Sequence, residues 1–498
     1  MNNLKRWLCM LLMVWAVTGC SDSDDEIIID EPEPTLAAGT TSFSFTADGG
    51  TVSFEISSNT TWRINFESTG WCKPSIQTTT GNATVRLMAD ENPTAEERSL
   101  SLSITADGVE TINLQCTQAA KELEPTEPEK EEYIEPDNSN MSSLSALDFA
   151  ALMGQGWNLG NSLESIVANG EELSGNETSW GNEVVSKTLI DAVKAAGFNT
   201  IRIPVSWSHK LDDQESYKIS WAWKQRVEEV VNYALDNDMY VMINVHWDGG
   251  WADHPDNEHQ EAINTKLAAL WKQIAIYFRD YDDHLLFAGT NEVHEEGYYG
   301  TPSAENLEVQ NSFNQTFVDV VRATGGRNAY RFLVIQSYNT NIDLAVSDLT
   351  LPTDETPDRL MAEVHFYDPY DFALQESGSY KTQWGNGYTD VSDWGQEAWV
   401  DEAFGKMKTN FVDQGTPVIL GEYGAILRSG LTSGLDEHIA ARNYYLNYVT
   451  RAAIENGMIP CYWDNGPTGN NSMGLFNRST GEVVHQDALD AIIGTAEN

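Results

Sequence analysis

Basic side chains are scarce in this 498-residue chain. Lys and Arg number 29 against 76 Asp and Glu, for a formal net charge of −47 at pH 7. A field of that sign repels phosphates, which excludes a general attraction to nucleic acid or anionic lipid. Acidic tails alone do not account for it, since residues 141–498 still carry 52 acidic and 21 basic side chains. A neutral or cationic substrate suits such a surface. Long apolar runs are missing too. The longest, Trp7 to Val17 at about eleven residues, falls well short of the roughly 20 that cross a bilayer as a helix. Cysteine is rare, five in all, with no CxxC and no Cys/His spacing of the zinc type. A Gly-rich phosphate loop is also lacking: GWNLGNSLES at 156–165 has neither its spacing nor a downstream ribose acid, which counts against a nucleotide enzyme. Apolar residues nonetheless make up 41% of the chain, enough for a large core, and the length leaves room for several domains.

Lys5 and Arg6 precede the apolar run, which closes on Thr18-Gly19-Cys20, the order of an export signal. The ending VTGC resembles a bacterial lipoprotein cleavage box, in which Cys20 becomes the lipidated first residue. An ordinary signal peptide with an incidental Cys is the alternative. The acidic SDSDDE that follows resembles the signal that moves lipoproteins to the cell surface in Bacteroidetes-type bacteria. These resemblances imply a lipoprotein signal peptide over 1–20 and an outer-membrane lipoprotein facing the cell surface, in contact with the membrane through lipid alone. Residues 21–35 read as an acidic spacer too polar to fold. Outside the cytosol disulfides are permitted. Cys72 and Cys116 share one small domain, and either a disulfide or two buried thiols fits them.

Residues 36–118 read as strand throughout. Thr41 to Phe45 and Thr51 to Ile56 alternate about a turn at Asp48-Gly49-Gly50, and four further strand segments follow, with Asp107-Gly108 as another turn. The expectation is a small all-β, immunoglobulin-like sandwich. Its FSFTADGGTVSFEISSNTTWRI, TGW and NLQCTQAA resemble the BACON family of carbohydrate-associated domains. Trp62 and Trp71 are either exposed sugar platforms or core residues, with core and a spacer role the favoured reading. Residues 119–140 are a Pro/Glu linker, expected to be extended and stiff.

From 141 to 498, eight short apolar runs alternate with amphipathic stretches. The runs are Gly156 to Leu159, Asn199 to Val205, Tyr240 to Val245, Leu285 to Ala288, Arg331 to Ile335, Leu360 to His365, Pro417 to Leu420 and Met458 to Cys461. Most are β-branched without clean alternation, the pattern of strands buried on both faces. Between them, Trp223, Val227, Val230, Val231 and Ala234 repeat at helix spacing. One (β/α)8 TIM barrel is the expected α/β fold.

In such a barrel the active site forms at the C-terminal ends of the strands. Glu292 would end the fourth strand and Glu422 the seventh, roughly across the barrel from one another. Retaining glycosyl transfer needs two facing carboxyl groups about 5 Å apart, one to attack the anomeric carbon and one to pass the proton. The region resembles glycoside hydrolase family 5, clan A, through GWNLGNSLE, NTIRIPVSW, VMINVHW, GTNE, HFYDP, VILGEYG and YWDNG. That resemblance implies Glu292 as acid/base and Glu422 as nucleophile, with Arg202, His246, Asn291, His365, Tyr367 and Trp463 as their supporting and substrate-binding shell. Val293 stands where many members have Pro, which alters the loop after the acid/base.

Trp180 and Trp207 are further candidates for outer sugar subsites, each with packing as its alternative. His254 and His259 with Asp253, Asp256 and Glu258 resemble a metal cluster by residue type, but their spacing fits no metal signature, and a solvated loop is the plainer reading. Phe366 to Trp399 holds nine aromatic residues and is long for a βα loop, so it reads as a cleft wall or as a hairpin packed on the barrel.

The resemblance implies a retaining endo-β-1,4-glucanase that needs no cofactor or metal. Its expected partner is a neutral β-glucan polysaccharide, xyloglucan first, then mixed-linkage glucan or soluble cellulose. Surface glycan-binding and uptake proteins are the expected associates of such a lipoprotein. A β-mannanase or glucomannanase would share both glutamates, and a non-catalytic surface glycan-binding lipoprotein is the reading from a different class.

Overall fold

A computed structural model describes residues 32–121, 127–170 and 172–494. The signal peptide, Cys20 and residues 21–31 of the acidic spacer lie outside the described residues. The chain divides into two compact units, 1–126 and 127–498.

The N-terminal unit contains two sheets. One orders Leu36–Ala38, Gly50–Ser58, Ala83–Ala89 and Cys72–Pro74; the other orders Ser42–Phe45, Ile112–Gln118, Arg98–Ala106, Thr61–Asn65 and Thr78–Thr80. Alternate residues point into one shared core that includes Phe43, Phe54, Ile64, Val85 and Leu114. The hairpin expected about Asp48-Gly49-Gly50 is corrected: its two strands belong to opposite sheets, and Ser42–Phe45 pairs in parallel with Ile112–Gln118 instead. Gly49 makes the crossing possible, at φ +81° and with the Ala89 carbonyl where a Cβ would stand. Trp62 is buried, and Trp71 is half-buried, its ring perpendicular to that of Phe45 and with Arg98 over its face. Neither tryptophan is an exposed platform. Cys72 and Cys116 are buried free thiols, with their Sγ atoms 3.8 Å apart.

In the second unit eight parallel strands close into a barrel in chain order: Gly156–Leu159, Thr200–Ile203, Tyr240–Asn244, Leu285–Ala288, Leu333–Gln336, Leu360–Phe366, Val418–Tyr423 and Met458–Asp464. The last pairs with the first in register from Gly156 with Cys461 to Leu159 with Asp464, so no strand edge is left open. Helices such as Trp221–Leu235 pack outside, burying Trp223, Val227, Val230, Val231 and Ala234 as the periodicity required. The short helix Ala146–Met153 caps the N-terminal end of the barrel, where Phe149 stacks on Phe332 at 4.0 Å between ring centroids.

The linker expected over 119–140 is shorter than its composition suggested. Residues from 127 onward belong to the barrel unit. The reason is local charge. Glu127 meets Lys224 at 2.5 Å and Glu132 meets Lys272 at 2.8 Å, while Ile134 bridges to Gly325 through the backbone. Carboxylates that repel one another in a free chain are here taken up by lysines of the barrel helices.

Candidate active site

Parallel strands end on one rim, and polar side chains collect there. Glu292 lies just beyond the fourth strand and Glu422 within the seventh. One carboxylate oxygen of each, together with one ring nitrogen of His365, falls within a set of atoms all less than 4.8 Å apart. His365 Nδ1 is 2.5 Å from Glu292 Oε1 and 3.6 Å from Glu422 Oε2. The trio is compact enough for a divalent ion, but the Arg202 guanidinium already supplies positive charge against Glu422.

Arg202 organises the floor. Its Nη1 donates to Glu422 Oε1 at 2.9 Å and to Asn158 Oδ1 at 3.0 Å, and its Nη2 donates to Asn291 Oδ1 at 2.7 Å. Its Nε pairs with Glu363 Oε1 at 2.8 Å, both side chains being fully buried. Tyr367 donates to Glu422 Oε2 at 3.0 Å. The Asn291 amide nitrogen lies 3.5 Å from His246 Nε2, and Asn291 lines the recess beside Glu292. His246 and Trp463 lie with rings near parallel, 6.0 Å between centroids, and Gly160 leaves room for the indole, since a Cβ there would stand 2.9 Å from it.

Glu363 was missed by the sequence reading. It accepts from Gln336 Nε2 at 2.7 Å and faces His365 Nε2 at 3.4 Å, beneath both site glutamates. Two signals were there to be read. Glu363 is an ionisable residue inside a buried strand, on the same face as His365 by the strand's period of two. Gly421 sits where a Cβ would stand 2.0 Å from Glu363 Oε1, so this glycine makes room for the carboxylate.

The charges follow from these partners. Burial opposes the charge on His365, yet Glu422, Glu292 and Glu363 outweigh it and push the imidazole up to about 9. Burial likewise raises Glu363, but Arg202, His365 and Gln336 bring it down to about 2. Glu422 stays above the ordinary range, with burial dominant over His365 and Arg202 and with Glu292 adding to it. Glu292 is held below that range, because His365 and Arg202 outweigh its burial. In the unliganded site the proton between Glu292 and His365 therefore rests on the imidazole.

Of the outer candidates, Trp207 is corrected. It is fully buried and its Nε1 donates to Asn244 O at 2.9 Å, so it locks the loop after the second strand to the third strand and cannot meet a ligand. Trp180 is partly exposed and pinned by its Nε1 to Ile166 O. The His254 and His259 rings lie 5.2 Å apart, but among the described residues this group does not converge its ligand atoms on one point: His254 faces Glu295 and Glu296, while His259 pairs with Asp256. The aromatic stretch after His365 divides. Phe372 and Trp384 are core, whereas Tyr370 and Trp399 line a cavity of 340 Å³ that also contains Glu292 and Tyr367.

Residues 165–469 match the cellulase family, glycosyl hydrolase family 5, and residues 61–119 match BACON, an N-terminal binding domain. The chain is 41% identical over 497 residues to the xyloglucan-specific endo-β-1,4-glucanase of Bacteroides ovatus, covering 98% of this chain and 96% of that protein. It is 40% identical over 374 residues to endoglucanase A of Paenibacillus barcinonensis, covering 71% and 91%. Among solved structures, a Bacteroides ovatus family 5 xyloglucanase in complex with a XXXG heptasaccharide superposes with a TM-score of 0.72 at 40% identity, covering 93% of this chain and all of that one. A family 5 xyloglucanase from Paenibacillus pabuli gives 0.65 at 40% identity, covering 70% and 99%.

Proposed function

The chain belongs to glycosyl hydrolase family 5, and from that membership we propose that it is a retaining endo-β-1,4-glucanase whose main substrate is xyloglucan. The observation that carries the retaining mechanism is the approach of the Glu292 and Glu422 carboxylates to within 4.8 Å over an open recess. Inverting enzymes hold the pair roughly 6.5–9.5 Å apart to admit water between them.

In this reading Glu422 attacks the anomeric carbon as Glu292 protonates the departing glycosidic oxygen. The proton starts on His365: Nδ1 passes it to the ionised Glu292 carboxylate, Glu292 delivers it to the departing oxygen, and the imidazole ends neutral. Water then attacks the glycosyl-enzyme, and Glu292 takes its proton and returns one to His365. Arg202 and Tyr367 stabilise the Glu422 carboxylate as it departs. The Asn291 amide donates to the sugar 2-hydroxyl, a bond that strengthens in the transition state, and Trp463 offers its face to the ring.

We also propose that the mature protein is tethered through lipidated Cys20 at the outer cell surface, on the strength of the sequence motifs alone. The two-sheet N-terminal unit we read as an immunoglobulin-like spacer. Burial of Trp62 and partial burial of Trp71 support that role, since an open sugar platform needs an exposed ring face.

The test is product profiling with reducing-sugar release on xyloglucan, mixed-linkage β-glucan, carboxymethylcellulose and glucomannan. The expected result is internal cleavage of xyloglucan with retained anomeric configuration. Preference for glucomannan would overturn the substrate, and initial products of inverted configuration would overturn the mechanism.

A further inference from the structure

The two site glutamates are held in different ways. Glu422 lies inside Val418–Tyr423, a strand paired with its neighbour up to Phe366 and Tyr423. Glu292 lies past the end of Leu285–Ala288, outside the ladder, so its aim depends on whatever fixes the segment that follows. Just beyond the fifth strand two residues hold backbone that L side chains rarely adopt. Asn339 stands at φ +50°, ψ +28° and Thr340 at φ +45°. Asparagine tolerates that region, but a β-branched threonine enters it only under constraint. Thr340 is also fully buried, and its hydroxyl oxygen finds no hydrogen-bond partner among the described residues, a further cost. Strain of this kind persists where the surroundings over-determine it, and it clusters at functional sites.

The contacts of this turn all lead toward Glu292. The Asn339 N–H donates to Val293 O at 2.8 Å, and the Tyr338 hydroxyl accepts from the Glu295 N–H at 2.7 Å. His294, between these two anchored residues, brings its Nδ1 to 2.7 Å from Glu292 O. The turn is itself closed, by Thr340 N–H to Ser337 O at 2.9 Å and Asn341 N–H to Tyr338 O at 3.1 Å. Tyr338 is buried, so its hydroxyl cannot swing away, and Asn339 stands in the wall of the 340 Å³ cavity that also holds Glu292. Resting on the glucanase reading, we propose that Tyr338 and Asn339 are positioning residues for Glu292: the strained turn clamps segment 293–295 and thereby aims the acid/base carboxyl at the departing oxygen. A displacement of about 1 Å in a reacting group can cost on the order of 100-fold in rate, which is reason enough to hold this segment from two sides.

The test compares kcat/KM on xyloglucan, on mixed-linkage β-glucan and on an aryl β-cellobioside with a good leaving group. A glucan oxygen must be protonated as it departs, whereas an activated aryl oxygen leaves without help, so only the glucans report the aim of the acid. Tyr338→Phe keeps the buried ring and removes the acceptor for Glu295. It should lower kcat/KM on both glucans by roughly 10–100-fold and leave the aryl substrate within about twofold. Asn339→Ala, which disfavours the left-handed turn, should act in the same direction, and Asn339→Gly, which reaches that backbone without strain, should lose less than Asn339→Ala. Proportional loss on all three substrates, or a lowered Tm with every kcat/KM unchanged, would make the turn merely structural and overturn the clamp. A larger loss in Asn339→Gly than in Asn339→Ala would overturn it too. If the unaltered enzyme cuts neither glucan, the glucanase reading falls and the clamp falls with it.

Discussion

Glu363 lies directly beneath the site pair, its Oε1 2.8 Å from Arg202 Nε, with both side chains sealed from solvent. Arg202 passes that fixed position upward to Glu422 and Asn291. Through His365 Nε2 the same carboxylate also reaches the residue that faces Glu292. Three carboxylates thus surround two cations, and the arrangement holds one transferable proton on His365. Glu363 touches no sugar. It acts through the orientation and charge of its neighbours.

Replacing Glu363 with Gln keeps the shape and removes the charge. Removing one partner of a buried ion pair costs about 3–5 kcal/mol of stability, and an amide that keeps part of the hydrogen bonding should leave the loss at the low end, read as a lowered Tm. The distinguishing readout is the pH profile. Without the Glu363 charge the His365 imidazolium is less favoured, so the alkaline limb of kcat/KM should move to lower pH. A profile that keeps its limb while only Tm falls would make Glu363 structural alone.

For the unaltered enzyme the signs set both limbs. His365 is charged below about 9, so both its proton donation and its share of stability are lost as pH rises through that value; the stability share is fully present below the ordinary histidine value near 6.5. Glu363, brought down to about 2, contributes stability that is present above the ordinary carboxylate range and lost only as pH falls toward 2. On the acid side, with Glu422 as the proposed nucleophile, activity depends on its ionised form, and its carboxyl lies above the ordinary 4.5. A plot of kcat/KM, which reports the free enzyme, should be a bell with its acid limb above 4.5 and its alkaline limb near 9. An alkaline limb near 6.5 would mean that His365 is not held as the imidazolium.

Trp207 provides the opposite control. Its indole fills core space and its Nε1 satisfies the Asn244 carbonyl, so Trp207→Phe should cost about 1–3 kcal/mol from the unpaired buried acceptor. Denaturant unfolding should show the loss, while kcat/KM on either glucan should stay within about twofold. A large change in KM with unchanged stability would return Trp207 to the cleft.

The strands of the barrel were legible because a parallel strand buried on both faces leaves a short β-branched run, and all eight runs recur in the barrel. The two glutamates were legible because each follows or interrupts such a run. What escaped shares one cause: it depends on which distant residues face each other. Glu363 looks like any polar interruption until Arg202 is known to lie opposite. Trp207 sits at a strand end, as a subsite residue would, and the direction of its side chain is fixed by Asn244 on the next strand. In the sandwich, Asp48-Gly49-Gly50 marks a turn whichever sheet the chain enters next, so local turn chemistry could not tell a hairpin from a crossing.

The two glutamates can be told apart by leaving group. In the proposed mechanism Glu422→Ala removes the attacking oxygen, and loss of a nucleophile typically costs several orders of magnitude, on the order of 10⁶ in another hydrolase. That loss should appear on xyloglucan and on an aryl β-cellobioside with a good leaving group alike, because both need the glycosyl-enzyme bond. Glu292→Ala removes proton transfer, about 10²–10⁴-fold on a glucan. An activated aryl leaving group departs without protonation, so for that substrate the first step should survive and the second should stall for want of a base. The expected signature is a burst of phenolate equal to the enzyme concentration, followed by slow turnover, with the glycosyl-enzyme mass seen on the intact protein. A burst from Glu422→Ala and none from Glu292→Ala would exchange the two roles, and a proportional loss in both variants on both substrates would remove the two-step mechanism.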